Sequence, residues 1–286
     1  MAAGLAAVLL VMAVYAVNFV VARYSVLHGL RSLDLAALRY SVSGLIMLPG
    51  FIRLGARDLG GLGWPRAIAL TCLAGSPYVL VFFLGLTFAP AAHGAVLNPG
   101  IVPSVVYLGL VALGRQSFSP VRALSLFVII VGLVLVTGTS FSLRGPVLAG
   151  DALLFLTGVS WGLFTLYARV WEVRPLQAAT IISVLSMVYV PVYLAFFYRG
   201  FASASTVHVV AQAAYQGLIN SIVALYLITF AVRRLGAQLT SLFSPLIPVM
   251  TTLLAVPLLA EVPTPAQWAG VAIVAAGMVT DWRLSS

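Results

Sequence analysis

The chain has 286 residues, 62% of them hydrophobic and 7% charged, against roughly 45–50% and about 25% in an ordinary soluble domain. Fifteen basic and six acidic side chains are too few to cover the surface of a water-soluble globule, which is thereby excluded. The net charge of +9 is carried by arginines that punctuate apolar runs and form no basic face, a pattern of membrane topology and anionic headgroups and not of nucleic-acid binding.

In chain order the apolar runs predict ten helical spans, at 5–22, 35–52, 67–86, 94–113, 121–138, 147–168, 176–198, 207–232, 237–259 and 266–281. Most approach the roughly 20 residues needed to cross ~30 Å of hydrocarbon. They are apolar all round, where β-barrel strands would alternate. The first run lacks the basic start and the cleavage site of a secretory signal, so it is expected to remain as a span. Cys72, the single cysteine, permits no intrachain disulfide or cysteine-based zinc site and is expected to be a small core residue. No cofactor or metal site is expected.

Displacing the sequence by 146 positions lays Tyr15-Ala16 on Trp161-Gly162, Arg23 on Arg169, Asn98-Pro99 on Ser244-Pro245, and Arg115 on Glu261. Residues 1–140 and 147–286 therefore read as two five-helix repeats. Five is odd, so the second repeat enters the membrane from the opposite side, the inverted arrangement of many secondary transporters. Ten arginines fall on the side of the N-terminus and five on the other, which predicts that both termini face the cytoplasm; a bacterial inner-membrane protein is expected.

Proline interrupts backbone hydrogen bonding, and membranes tolerate this where protein or a water-filled cavity satisfies the freed carbonyl. Span four carries Asn98, Pro99 and Pro103, and span nine carries Ser244, Pro245 and Pro248; matched breaks in two halves point to a transporter's binding site, or else to kinks that serve packing. Around them lie Tyr15 and Asn18 in span one, Ser76, Pro77 and Tyr78 in span three, and His93 where span four begins. Ser160, Trp161 and Thr165 in span six and Tyr215, Gln216, Asn220 and Tyr226 in span eight complete the set. Polar groups in hydrocarbon turn inward, to line a cavity or to bond between helices. The substrate-binding set is read as Asn18, Tyr78, His93, Asn98, Pro99, Trp161, Tyr215, Asn220, Ser244 and Pro245. His93 is a proton site or, more simply, a histidine hydrogen-bonded at the interface.

All six acids fall at or near predicted span ends, and the core is expected to hold no basic residue. A cation exporter would keep a buried acid, so the expected solute is neutral or zwitterionic, an amino acid or related metabolite. Gly158-Val159-Ser160-Trp161-Gly162 matches the G-x-S-x-G nucleophile elbow, but lies in an apolar helical run without the strand-to-helix turn such an elbow needs. Gly158 and Gly162, like Gly270 and Gly277 in span ten, instead suit close helix packing or a subunit contact.

The pattern resembles the drug/metabolite transporter superfamily, specifically EamA-type exporters. The resemblance runs through Trp161-Gly162 with Arg169, Tyr15-Ala16 with Arg23, and Pro245 leading to Leu259-Ala260-Glu261 and Gln267 to Gly270. Arg115 departs from it, standing where such proteins usually have an acid. Similarity to YddG-like amino-acid exporters implies ten helices in two inverted repeats around a central cavity, formed mainly by spans one, three, four, six, eight and nine. It also implies efflux of aromatic or other neutral amino acids by a monomer in contact with membrane lipid. A proton-coupled multidrug exporter, an intramembrane hydrolase using Ser160 and a non-transporting scaffold are the alternatives.

Overall fold

The computed structural model describes residues 1–138, 145–201, 204–235, 240, 243 and 246–285. Every regular element among the described residues is a helix: α1 (Ala2–Leu27), α2 (Ser32–Leu54), α3 (Trp64–Ala74), α4 (Ser76–Phe88), α5 (Ala91–Ala112), α6 (Pro120–Gly138), α7 (Pro146–Val170), α8 (Pro175–Ser186), α9 (Tyr189–Phe196), α10 (Thr206–Gln212), a π-helical segment (Ala213–Val223), α11 (Ala224–Leu235), α12 (Leu246–Leu259) and α13 (Pro265–Ser285). Among the described residues seven segments are long and apolar enough to cross a membrane; Trp64–Phe88, Pro175–Phe196 and Thr206–Ile228 each join consecutive elements into one such segment. Three shorter apolar helices, Pro120–Val136, Leu246–Leu259 and Pro265–Thr280, accompany them.

The interruptions lie elsewhere than proline content suggested. α5 runs unbroken through Pro99 and Pro103, because each proline deletes one backbone donor and neighbouring helices shield what it frees. The chain instead breaks at Gly75, between α3 and α4, and at Met187-Val188, between α8 and α9. The two breaks meet: Ser76 N donates to Ser186 Oγ at 2.9 Å, giving the start of α4 an acceptor outside its own chain segment. Pro248 lies in the first turn of α12, where a missing amide is harmless. Ser244 and Pro245 lie outside the described residues.

Lipid tails are as apolar as leucine, so helices associate through close packing more than through the hydrophobic effect. Gly132 and Gly270 bring α6 and α13 so near that a Cβ on Gly270 would stand 2.9 Å from the Gly132 carbonyl. Gly277 meets Ile129 on the same face. Gly158 and Gly162 do the equivalent for α7, against Leu97, Asn98 and Ile101 and against Val105 of α5. Both small-residue stripes are thus packing faces within one chain. Cys72 is exposed on α3 and is not a core residue.

The contacts between elements repeat. α5 packs on α7 as α12 packs on α1, and α4 packs on α7 as α11 packs on α1. α2 pairs with α8, and α6 with α13.

Candidate functional site

Asn98 occupies the middle of α5 and is buried. Its Nδ2 donates to Tyr78 Oη at 3.1 Å and to Thr157 Oγ1 at 2.9 Å, while Thr157 passes its own proton to the Leu154 carbonyl at 2.7 Å. Tyr78 stands just past the Gly75 break, where Pro77 opens α4, and its ring centroid is 5.5 Å from that of Trp161. Trp161 continues to Phe164 at 5.0 Å. Three predicted residues, Tyr78, Asn98 and Trp161, are therefore gathered from α4, α5 and α7. Hydrogen bonds of this kind are worth about 0.6–1.7 kcal/mol each inside a membrane. Trp161 is still 38% exposed, leaving an aromatic face for a ligand ring. Pro99 lies half-buried beside Asn98.

A second group gathers on α1 and the π segment. Asn220 Nδ2 donates to Asn18 Oδ1 at 3.2 Å, and Tyr215 Oη donates to the Val14 carbonyl at 2.6 Å. A π segment widens the turn and is frequent at functional sites; here Ser221 Oγ returns to the Gln216 carbonyl at 2.8 Å. Tyr226, 68% exposed, faces away from this group.

His93 belongs to neither. It is fully buried at the start of α5, with Nδ1 2.8 Å from Asp151 Oδ1 on α7 and Nε2 2.9 Å from Gln267 Nε2 on α13. Since the glutamine nitrogen can only donate, Nε2 accepts, and the ring proton sits on Nδ1 facing the carboxylate. The same end of the bundle is tied by Arg23, whose Nε meets Glu261 Oε1 at 3.1 Å and whose Nη1 donates to the Leu86 and Thr87 carbonyls. Glu261 Oε2 also accepts from Ala91 N at 2.8 Å. At the opposite end lies a cleft of about 470 Å³ lined by Arg115, Arg122, Arg169 and Glu172. Arg115 and Arg169 are the positions that the 146-residue displacement equates with Glu261 and Arg23. One end is tied by an ion pair, whereas the two equivalent positions at the other are both arginines, with Glu172 in the same cleft.

Three observations correct the sequence reading. Asp151, 8% exposed inside α7, is a buried acid. Arg39 is a basic residue well inside α2. The matched helix break expected at Pro99 is absent. Thr157 was missed, since a threonine in an apolar helix carries no distinguishing sequence signal, and Gln267 was singled out only for the family resemblance, not as a partner of His93. Among the described residues no three His, Cys, Asp or Glu side chains gather as a metal ion would require. Ser160 sits inside α7 and donates to the Leu73 carbonyl at 2.7 Å, so the nucleophile elbow has no turn to stand on.

No curated protein matches the sequence. One solved crystal structure superposes with a TM-score of 0.64 at 18% identity, covering 100% of this chain and 99% of its own; at that identity the likeness is one of fold. Residues 2–138 and 148–280 each match the EamA-like transporter family. The chain belongs to the EamA-like transporter family, whose members are multi-pass membrane transporters of the drug/metabolite type.

Proposed function

We propose that this protein is a secondary transporter of the bacterial cytoplasmic membrane that exports aromatic or other neutral amino acids and related metabolites by alternating access, as a monomer. In this reading ten spans form two inverted five-span repeats, both termini are cytoplasmic, and the flux is uncoupled facilitated diffusion. The observation that carries it is the paired pattern of contacts. Numbering spans along the chain, span four lies on six as nine lies on one, and three on six as eight on one. Spans two and five each meet their own counterparts, seven and ten, as a two-fold relation between the halves requires. In this reading Asn98 with Tyr78 and Trp161, and Asn18 with Tyr215 and Asn220, are the amide-and-aromatic groups of the two halves that would line a central path.

Cysteine accessibility tests the alternation. In a Cys72→Ser background, a cysteine replacing Asn98 is expected to react with a membrane-impermeant thiol reagent from either face, with phenylalanine changing the ratio of the two rates. Reaction from a single face under every condition would remove the mechanism.

The buried His93–Asp151–Gln267 chain favours a second reading, proton-coupled export. Uphill flux driven by a pH gradient in wild type and lost in Asp151→Asn would select it.

A further inference from the structure

The buried carboxylates of this bundle are answered. Asp34 takes Arg31 and Tyr193, Asp151 takes His93, and the half-buried Glu261 takes Arg23. Arg39 differs: it lies seven residues into α2, about 10 Å along the helix axis, and no described carboxylate pairs with it. Its Nε is buried and has no hydrogen-bond partner. The guanidinium carbon lies 5.9 Å from the Tyr40 ring centroid, on a helix packed against α4 and the π segment, which carry Tyr78 and Tyr215. That places it among the helices that carry the polar groups of the candidate site, and not at a lipid-facing end.

Its surroundings hold further unused polar atoms. Ser43 Oγ, one turn along α2, is buried without a partner, and so are Gln212 Oε1 and Gln216 Nε2 on α10 and the π segment. Those two elements face α2 closely, because Gly217 lets the π segment approach Val42 and the Arg39 carbonyl. An intramembrane cation is expensive, and is retained where it serves function.

We propose that Arg39 is the receptor for a carboxylate group of the transported solute. The guanidinium fork matches the two carboxylate oxygens, and neutral donors are on hand from Ser43, one turn along α2, and Gln216, on the π segment packed against it. One cation balances one carboxylate, whereas a phosphate dianion would call for more positive charge. Gln212 Oε1 is an acceptor suited to the ammonium of a zwitterion, and Tyr78 and Trp161 offer rings beside the same path. The inference rests on the transporter reading and deepens it by naming the residue that receives the carboxylate of the amino-acid cargo.

The test uses the purified full-length chain as wild type, Arg39→Gln and Arg39→Lys. Counterflow rates in liposomes are measured for phenylalanine, phenylalanine amide and phenylacetate. In parallel, thermal unfolding in detergent is followed with phenylacetate or phenylacetamide. A charge-assisted, bidentate contact predicts that wild type moves phenylalanine about tenfold or more faster than its amide, with the ratio falling to near one in Arg39→Gln. Phenylacetate is expected to raise the Tm of wild type and not of Arg39→Gln, with phenylacetamide inactive in both. Transport of phenylacetate would assign the site to organic anions as well as zwitterions. Equal rates for acid and amide in wild type, or an unchanged preference in Arg39→Gln, overturn the proposal. Should Arg39→Gln fail to purify, Arg39→Lys replaces it, because an ammonium lacks the fork and is expected to lower the ratio several-fold; an unchanged ratio overturns the proposal. If wild type moves no solute, the transporter reading falls, and the phenylacetate shift alone decides whether Arg39 binds a carboxylate.

Discussion

Replacing His93 by alanine is expected to lower the unfolding free energy by about 1–3 kcal/mol or more, the usual result of leaving a buried carboxylate without its hydrogen-bond donor. The partner left behind is Asp151, which is 8% exposed and whose only described hydrogen bond is to His93. The pair also joins three helices, because Gln267 of α13 completes the chain from α5 and α7. A double substitution, His93→Ala with Asp151→Ala, removes the stranded carboxylate and should recover a large part of the loss. Thermal or denaturant unfolding of the four members of the cycle measures the coupling. Additive losses would mean that the two side chains do not act as a pair.

Gly158→Val is expected to disrupt both packing and transport. Even its first added carbon would stand 2.8 Å from the Asn98 carbonyl and 3.0 Å from the Leu97 carbonyl. These are backbone atoms of α5, which cannot turn aside as a side chain can, so α7 must move away. Overpacking of this kind costs about 1–3 kcal/mol or more. The displacement falls on Asn98 and Thr157, whose 2.9 Å hydrogen bond is the closest tie between the two helices at the site. Gly50→Ala is the control, since the nearest atom to its added carbon is 3.4 Å away on the Thr180 side chain. It should be near neutral in stability and in flux. Equal stability of the Gly158 and Gly50 variants would contradict the account of α5–α7 packing.

An all-helical chain with several apolar membrane-length segments, seven among the described residues, was legible because twenty-residue hydropathy is a cumulative signal that no single residue can overturn. Their internal breaks were not. Proline marks a lost amide in the sequence, yet Pro99 and Pro103 stay within α5. The break at Gly75 depends on Ser186, a residue 110 positions away that accepts the Ser76 amide proton. The π segment likewise depends on what α1 and α2 present to it. Asp151 does lie near a span end, in the second turn of α7, and only its burial went unforeseen; Arg39 lay inside the predicted span 35–52, so the signal for a basic interior residue was present. Averaged hydropathy concealed it, and Arg39 was read as a span-end charge. Aromatic and amide residues of the site were recognised individually, and Tyr78, Asn98 and Trp161 do meet. His93 was grouped with them as the titratable residue that opens span four, whereas α7 and α13 hold it at the bundle's end.

The central claim, that this chain moves amino acids across a membrane, is tested most directly by counterflow. Liposomes containing purified protein are loaded with one unlabelled neutral amino acid at a time, and entry of its labelled form is compared with protein-free liposomes and with hydrophobic cations. The account predicts transient accumulation of labelled aromatic or other neutral amino acids, with the cations excluded. Accumulation of cations alone, or of nothing in the panel, would contradict it.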